Sequence, residues 1–158
     1  MALTNDEIFM RVAINITRTG IAQGQSPFGA VIVKGTKIIA KAHSTVWADE
    51  DSTAHAEINA IRQACKNLNA INLSGCTIYS TTEPCPMCFS AIHWARIYKI
   101  VYGASIADAR NAGFHELEIS DAQMKKLGES KIRIEKSVLK DECVALFKEW
   151  KTQKGKPY

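Results

Sequence analysis

The chain has 158 residues, 46% of them hydrophobic and 23% charged, which supports one domain with a substantial core and argues against disorder. Its five cysteines, an odd number, speak against a disulfide framework and for a reducing cytoplasm, while the lack of a basic start followed by an apolar run, or of any stretch near the roughly 20 apolar residues of a membrane span, disfavours secretion and insertion. The net charge of +4 is weak ground for nucleic-acid binding, because Lys125, Lys126, Lys148, Lys151, Lys154 and Lys156 fall on segments that read as solvated helix faces and a tail.

Thr4 and Glu7 have the spacing of a capping box, and Ile8, Val12 and Ile16 recur at intervals of four, so a helix is predicted to run to Gln23 or Gly24. Residues 28–33 and 37–40 are β-rich runs separated by Lys34-Gly35-Thr36 and read as an antiparallel hairpin. Asp51 or Ser52 is placed to cap a helix with Ala54, Ile58, Ile61, Ala64 and Leu68 on an apolar stripe and His55 in its first turn. Residues 77–80 and 99–102 read as strands around a helix that Pro86 opens and that runs through Ala91 and Trp94. That order predicts a parallel crossover with helices covering a sheet and a site at the strand ends. Residues 131–136 add a strand, and Asp141 is placed to cap a last helix carrying Val144, Leu146, Phe147 and Trp150. No linker, repeat or low-complexity block interrupts this order, so residues 1–158 read as a single domain.

Chemistry concentrates in His55-Ala56-Glu57 and Pro84-Cys85-Pro86-Met87-Cys88. His55, Cys85 and Cys88 offer an imidazole and two thiolates, three corners of a zinc tetrahedron, and a catalytic zinc site keeps its fourth corner for water. Zinc lowers the pKa of that water to roughly 7, and a nearby carboxylate, Glu57, can accept its proton and hand it on. Two residues along an ideal helix lie about half a revolution apart, so spacing alone does not turn Glu57 toward the ion. Each half of the pattern also has a plainer reading, C-x-x-C as a redox dithiol and H-x-E as a helix start. Together they leave one non-enzymatic alternative, a zinc-stabilised binding module in which Glu57 merely caps its helix.

The pairing of H-x-E with P-C-x-x-C resembles the cytidine deaminase superfamily. The resemblance implies an α/β fold of three layers, α-β-α, with a mixed five-stranded sheet flanked by helices, and hydrolytic removal of an amino group. Within the superfamily, Ser26-Pro27-Phe28-Gly29-Ala30-Val31-Ile32-Val33, Thr53-Ala54-His55-Ala56-Glu57, Glu83-Pro84-Cys85-Pro86-Met87-Cys88, Ala91-Ile92-His93-Trp94-Ala95-Arg96, Ala112-Gly113-Phe114 and the final Tyr158 are similar to bacterial guanine deaminases. That likeness implies one Zn2+ per chain on His55, Cys85 and Cys88, Glu57 as the proton shuttle, and guanine converted to xanthine and ammonia. It also implies a homodimer whose C-terminal segments are exchanged, so that Tyr158 helps close a neighbouring site.

The candidate base contacts are Phe28, Ser44, Ala54, Trp94, Glu116 and Tyr158. Two positions depart from the family. Ser44 stands where these enzymes carry an asparagine, and His115-Glu116 stand where two aspartates are usual. An ionised Glu116 still accepts from the N–H groups that guanine presents. Alternative substrates are a tRNA adenosine converted to inosine, which would make tRNA the partner, or another aminated heterocycle such as cytosine.

Overall fold

The Thr4 hydroxyl accepts from the Glu7 backbone N–H and the Glu7 carboxylate accepts from the Thr4 N–H, so the predicted capping box opens helix α1, Asn5–Ala22. The computed structural model describes residues 1–158. Strands β1 (Gly29–Lys34) and β2 (Lys37–His43) form the predicted hairpin, with Gly35 supplying the positive φ of its turn. There follow α2 (Val46–Asp49), α3 (Ala56–Leu68), β3 (Cys76–Thr82), α4 (Pro86–Trp94), β4 (Lys99–Ala104), α5 (Ile106–Asn111), α6 (Asp121–Leu127), β5 (Arg133–Glu135) and α7 (Lys140–Thr152).

The sheet has the order β2-β1-β3-β4-β5. β1 runs antiparallel to β2 and β3, and β3, β4 and β5 are mutually parallel, which is the expected mixed sheet. Successive strand residues point to opposite faces, and the core divides accordingly. Ile32, Ile78 and Ile100 face Ala60, Phe89 and Ile92 of α3 and α4. Val31, Tyr79 and Val101 face Ile14 of α1 and Leu146 and Phe147 of α7. Each such aliphatic side chain contributes roughly 1.5–3 kcal/mol when removed from water, so both helix layers are held to the sheet by burial. Because β3 is central and covered on both faces, all seven of its residues are buried. No helix is long and apolar enough to cross a membrane.

Two predicted caps fall elsewhere. The Asp51 carboxylate accepts from the Thr53 N–H (2.8 Å) and hydroxyl (2.7 Å), closing a local turn at Ser52-Thr53, so His55 is the extended N-cap and α3 starts at Ala56. α7 starts at Lys140 after Leu139 in the left-handed region, which puts Asp141 inside the first turn. The short helices α5 and α6 carry no apolar stripe long enough to read by periodicity. Their signal is the pair of capping boxes, Ser105 with Asp108 and Ser120 with Gln123.

Asp121, the first residue of α6, is fully buried and neither carboxylate oxygen has a hydrogen-bond partner. Burial, with the charge of Glu83 beside it, pushes this carboxyl up to about 9. The folded protein therefore keeps a proton that the unfolded chain releases near pH ~4, and stability falls as pH rises from there toward about 9. Asp121→Asn is neutral at every pH. Thermal denaturation is expected to show a higher Tm for this variant, with a gain that grows between about pH 5 and pH 9 and reaches roughly 1–3 kcal/mol at the alkaline end.

Candidate functional site

Beyond Thr82 the chain turns through Glu83 and Pro84 into Cys85, the N-cap of α4, with Pro86 in the first helical turn, where its missing N–H costs nothing. His55 is the matching N-cap of α3, and both cap residues have extended backbones. Cys88 reaches back from the first turn of α4. The three donors thus meet where two positive helix ends converge, a setting that favours thiolate sulfur.

His55 Nδ1 lies 3.6 Å from Cys85 Sγ and 3.6 Å from Cys88 Sγ, and the three donor atoms lie within 4.8 Å of one another. A tetrahedral zinc with Zn–S about 2.3 Å and Zn–N about 2.05 Å separates sulfur from nitrogen by about 3.6 Å. The donor set fits zinc in both spacing and chemistry. Hydrogen bonding from Cys88, reinforced by the imidazole, holds the Cys85 thiol down at about 4, while Cys88, bonded to that sulfur and buried, is pushed well above the ordinary thiol range. Burial works against charge on His55, but Cys85 and Glu57 outweigh it and raise the imidazole.

The half-revolution objection to Glu57 disappears because His55 is extended rather than helical. Glu57 faces the same space, with Oε2 3.4 Å from Cys88 Sγ and Oε1 2.8 Å from Ser80 Oγ. It is buried, and burial raises its carboxyl against the opposing influence of His55. Ser80 Oγ also lies 2.7 Å from the Thr82 carbonyl oxygen, so one hydroxyl bridges the acid and the end of β3.

Phe28, Thr82, Glu83, Glu116 and Tyr158 join His55, Glu57 and Cys85 around a small cavity of about 20 Å³. A mouth of about 380 Å³ opens beside it, between Ser52, Met87 and Leu117, within the size range of small-ligand clefts. Tyr158 roofs the cavity, its ring 5.7 Å from that of His55 and 5.3 Å from that of Phe114. Its segment is pinned by the His115 N–H donating to the Tyr158 carbonyl (3.0 Å) and by Trp47 Nε1 donating to the Lys156 carbonyl (3.2 Å). The segment therefore lies over the His55 and Glu57 site of the same chain. Gly155 lies against the Trp150 indole so tightly that a Cβ would overlap it.

The other candidates divide. Phe28 stands edge-on to Phe114 at 4.8 Å, and burial, then the charge of Cys85, pushes Glu116 up to about 7. Ser44 is fully buried behind Phe28, donating its N–H to the Phe28 carbonyl (3.0 Å). Ala54 is also fully buried, and its carbonyl accepts from the Thr45 N–H (3.0 Å). Trp94 departs from its expected place. It is 81% exposed beside His93 and lines neither cavity, because the last residue of α4 lies about 9 Å along the helix from Cys88. His43 bonds the Ser44 carbonyl oxygen through Nδ1 at 2.8 Å.

Ser80, Thr82, Glu83 and Asn59 were not anticipated. The Glu83 carboxylate accepts the N–H groups of Ile106 and Asp121, each at 3.0 Å, and so anchors the starts of α5 and α6. Asn59 Nδ2 lies 2.9 Å from Thr45 Oγ1 and 3.1 Å from the His43 carbonyl oxygen, tying α3 to the loop after β2. The available signal was Ser80-Thr81-Thr82-Glu83, a polar run too long to alternate, leading straight into the cysteines.

The chain matches the family described as the cytidine and deoxycytidylate deaminase zinc-binding region over residues 3–104. It is 47% identical over 113 residues to a guanine deaminase of Bacillus subtilis, covering 71% of this chain and 72% of that one. It is 45% identical over 98 residues to a tRNA-specific adenosine deaminase of Aquifex aeolicus, covering 62% of this chain and 65% of that one. A solved structure of a guanine deaminase from Nitrosomonas europaea superposes with a TM-score of 0.87 at 28% identity, covering 96% of this chain and 87% of the other.

The donor geometry leads to a direct expectation. The protein should hold one zinc per chain, and His55→Ala or Cys88→Ala should each lose it, as read by metal-to-protein ratio. Stripping zinc with a chelator should lower Tm, by the equivalent of about 2.7 kcal/mol relative to free zinc at 100 times its Kd. Full zinc content in Cys88→Ala would contradict the assignment.

Proposed function

The chain belongs to the cytidine and deoxycytidylate deaminase family, whose members are zinc-dependent hydrolases, and from that premise we propose that it deaminates a free purine base, guanine, to xanthine and ammonia. The observation that carries this reading is the roof that Tyr158, backed by Phe114, places over the His55 and Glu57 cavity, which suits a flat base detached from any polymer. The guanine deaminase relative at 47% identity supports the same substrate.

Zinc held by His55, Cys85 and Cys88 would supply Lewis acidity and lower the pKa of a water molecule toward neutrality. Glu57 takes the proton of the attacking water, passes it to the ring nitrogen beside the reacting carbon, and carries the next proton to the departing amine. Ser80 steadies the other end of that carboxyl from 2.8 Å. The C–N bond breaks as the new C=O forms, and water is consumed for each ammonia released. Phe28 lies against the ring, Glu116 accepts from its N–H groups when ionised, and the buried Ser44 bonds the Phe28 backbone from outside the cavity lining. Tyr158 lifts to admit the base and closes over it. The proposed assembly is a homodimer.

A second reading, deamination of a tRNA adenosine, is favoured by the relative at 45% identity, although the groove that Lys125, Lys126, Lys131 and Lys136 line is shared with Glu83, Glu129 and Glu135. Ammonia release from guanine, adenine, cytosine and cytidine, beside inosine formation in tRNA at low salt, separates the two. We expect guanine turnover. Glu57→Ala should keep zinc and fold while activity drops about 10²–10⁴-fold. Guanine turnover equal in Glu57→Ala would sink the mechanism, and inosine formation without guanine turnover would replace the substrate.

A further inference from the structure

Most hydroxyls at the end of β3 are already engaged. Thr81 Oγ1 accepts from the Gly29 N–H at 3.1 Å, and Ser80 Oγ lies within reach of both Glu57 and the Thr82 carbonyl. Thr82 is different. The residue is buried, 4% exposed, yet Oγ1 has no hydrogen-bond partner, and Thr82 lines the small cavity beside Glu57, Glu116 and Tyr158. A buried hydroxyl left without a partner destabilises the fold, so its persistence in the site calls for a partner that arrives from outside. Ser26 Oγ is also buried without a partner but does not line this cavity, and Tyr158 Oη belongs to the roof. Of these, Thr82 Oγ1 alone belongs to the central strand.

Its position is fixed from two sides. Thr82 pairs with Ala104 of β4, and Ser80 couples its carbonyl to Glu57 Oε1 through a single hydroxyl. The backbone of Thr82 is therefore held beside the proton-shuttling acid, at the C-terminal end of a parallel strand, where open α/β sheets bind ligands. We propose that Thr82 Oγ1 is a specificity-determining contact that hydrogen-bonds a polar ring substituent or ring nitrogen next to the amine-bearing carbon of an aminated heteroaromatic base. A hydroxyl both donates and accepts. Thr82 thus reads an acceptor edge that the carboxylate of Glu116 repels, and the two together select a base presenting an acceptor on one side and a donor on the other. This inference rests on the deaminase reading above.

The test compares wild type, Thr82→Val and Thr82→Ser in guanine turnover, in equilibrium binding of xanthine, in zinc content and in Tm. Thr82→Val should keep zinc, hold or raise Tm because the orphan hydroxyl is gone, and lose tenfold or more in kcat/KM, carried mostly by KM and matched by weaker xanthine binding. Thr82→Ser should stay within about threefold of wild type, as a retained hydroxyl predicts. KM and xanthine binding unchanged in Thr82→Val would overturn the inference, as would a fall in Tm with ligand binding intact. If Thr82→Val does not fold, Thr82→Ala against Thr82→Ser decides it, and failure of serine to restore binding over alanine overturns it. A wild type that releases ammonia from no base refutes the deaminase reading itself, whereas a wild type that does so beside an indifferent Thr82→Val refutes only the role of this residue.

Discussion

Two helices, α3 and α4, begin at the same edge of the sheet, and each begins with an extended residue that carries a metal donor instead of a capping hydroxyl. Their N-termini bring two sets of unsatisfied N–H groups and two positive dipole ends together. That arrangement would be unfavourable around neutral side chains. It becomes favourable when thiolate sulfur and a carboxylate occupy the gap, and the position of β3 beneath both helices holds the gap at a spacing of 3.6 Å between nitrogen and sulfur. The pocket, its roof and its buried acids all take their positions from this junction.

The layers around the junction explain its rigidity. β3 is covered on both faces, so the turn from Thr82 to Cys85 leaves a strand that cannot shift without disturbing both cores. Glu83 then ties the starts of α5 and α6 to the same corner. The corner carries polar groups that oppose folding: the bare carboxyl of Asp121, the orphan hydroxyl of Thr82 and the buried Glu57. Glu57 and Thr82 also line the cavity, and groups that weaken a fold there are expected where binding, rather than stability, has shaped the residues.

The sequence made the junction readable through its ligand types. H-x-E and C-x-x-C specify donors by chemistry, so His55, Cys85 and Cys88 could be named without coordinates, and the β-rich runs placed the strands within a few residues. The orientation of Glu57 could not, because a two-residue step means half a revolution in a helix but not across an extended cap, and the Asp51 turn that delays α3 is a local side-chain bond invisible to periodicity. Trp94 looked like a pocket wall because it shares a helix with Cys88, yet helical rise carries it to the surface. Thr82 and Ser80 were hidden for the opposite reason, since a threonine or serine in a strand has nothing in its type to show whether its hydroxyl is satisfied.

The chemistry requires that three protein side chains hold one zinc ion and leave its remaining position to solvent within reach of Glu57. X-ray absorption at the zinc edge of the zinc-loaded protein reads that coordination. The expected spectrum has two sulfurs at about 2.3 Å and two lighter atoms at about 2.0 Å, with the outer-shell scattering of a single imidazole. A third sulfur, or a second imidazole, would mean that the protein closes the tetrahedron itself, and the hydrolytic account would fail.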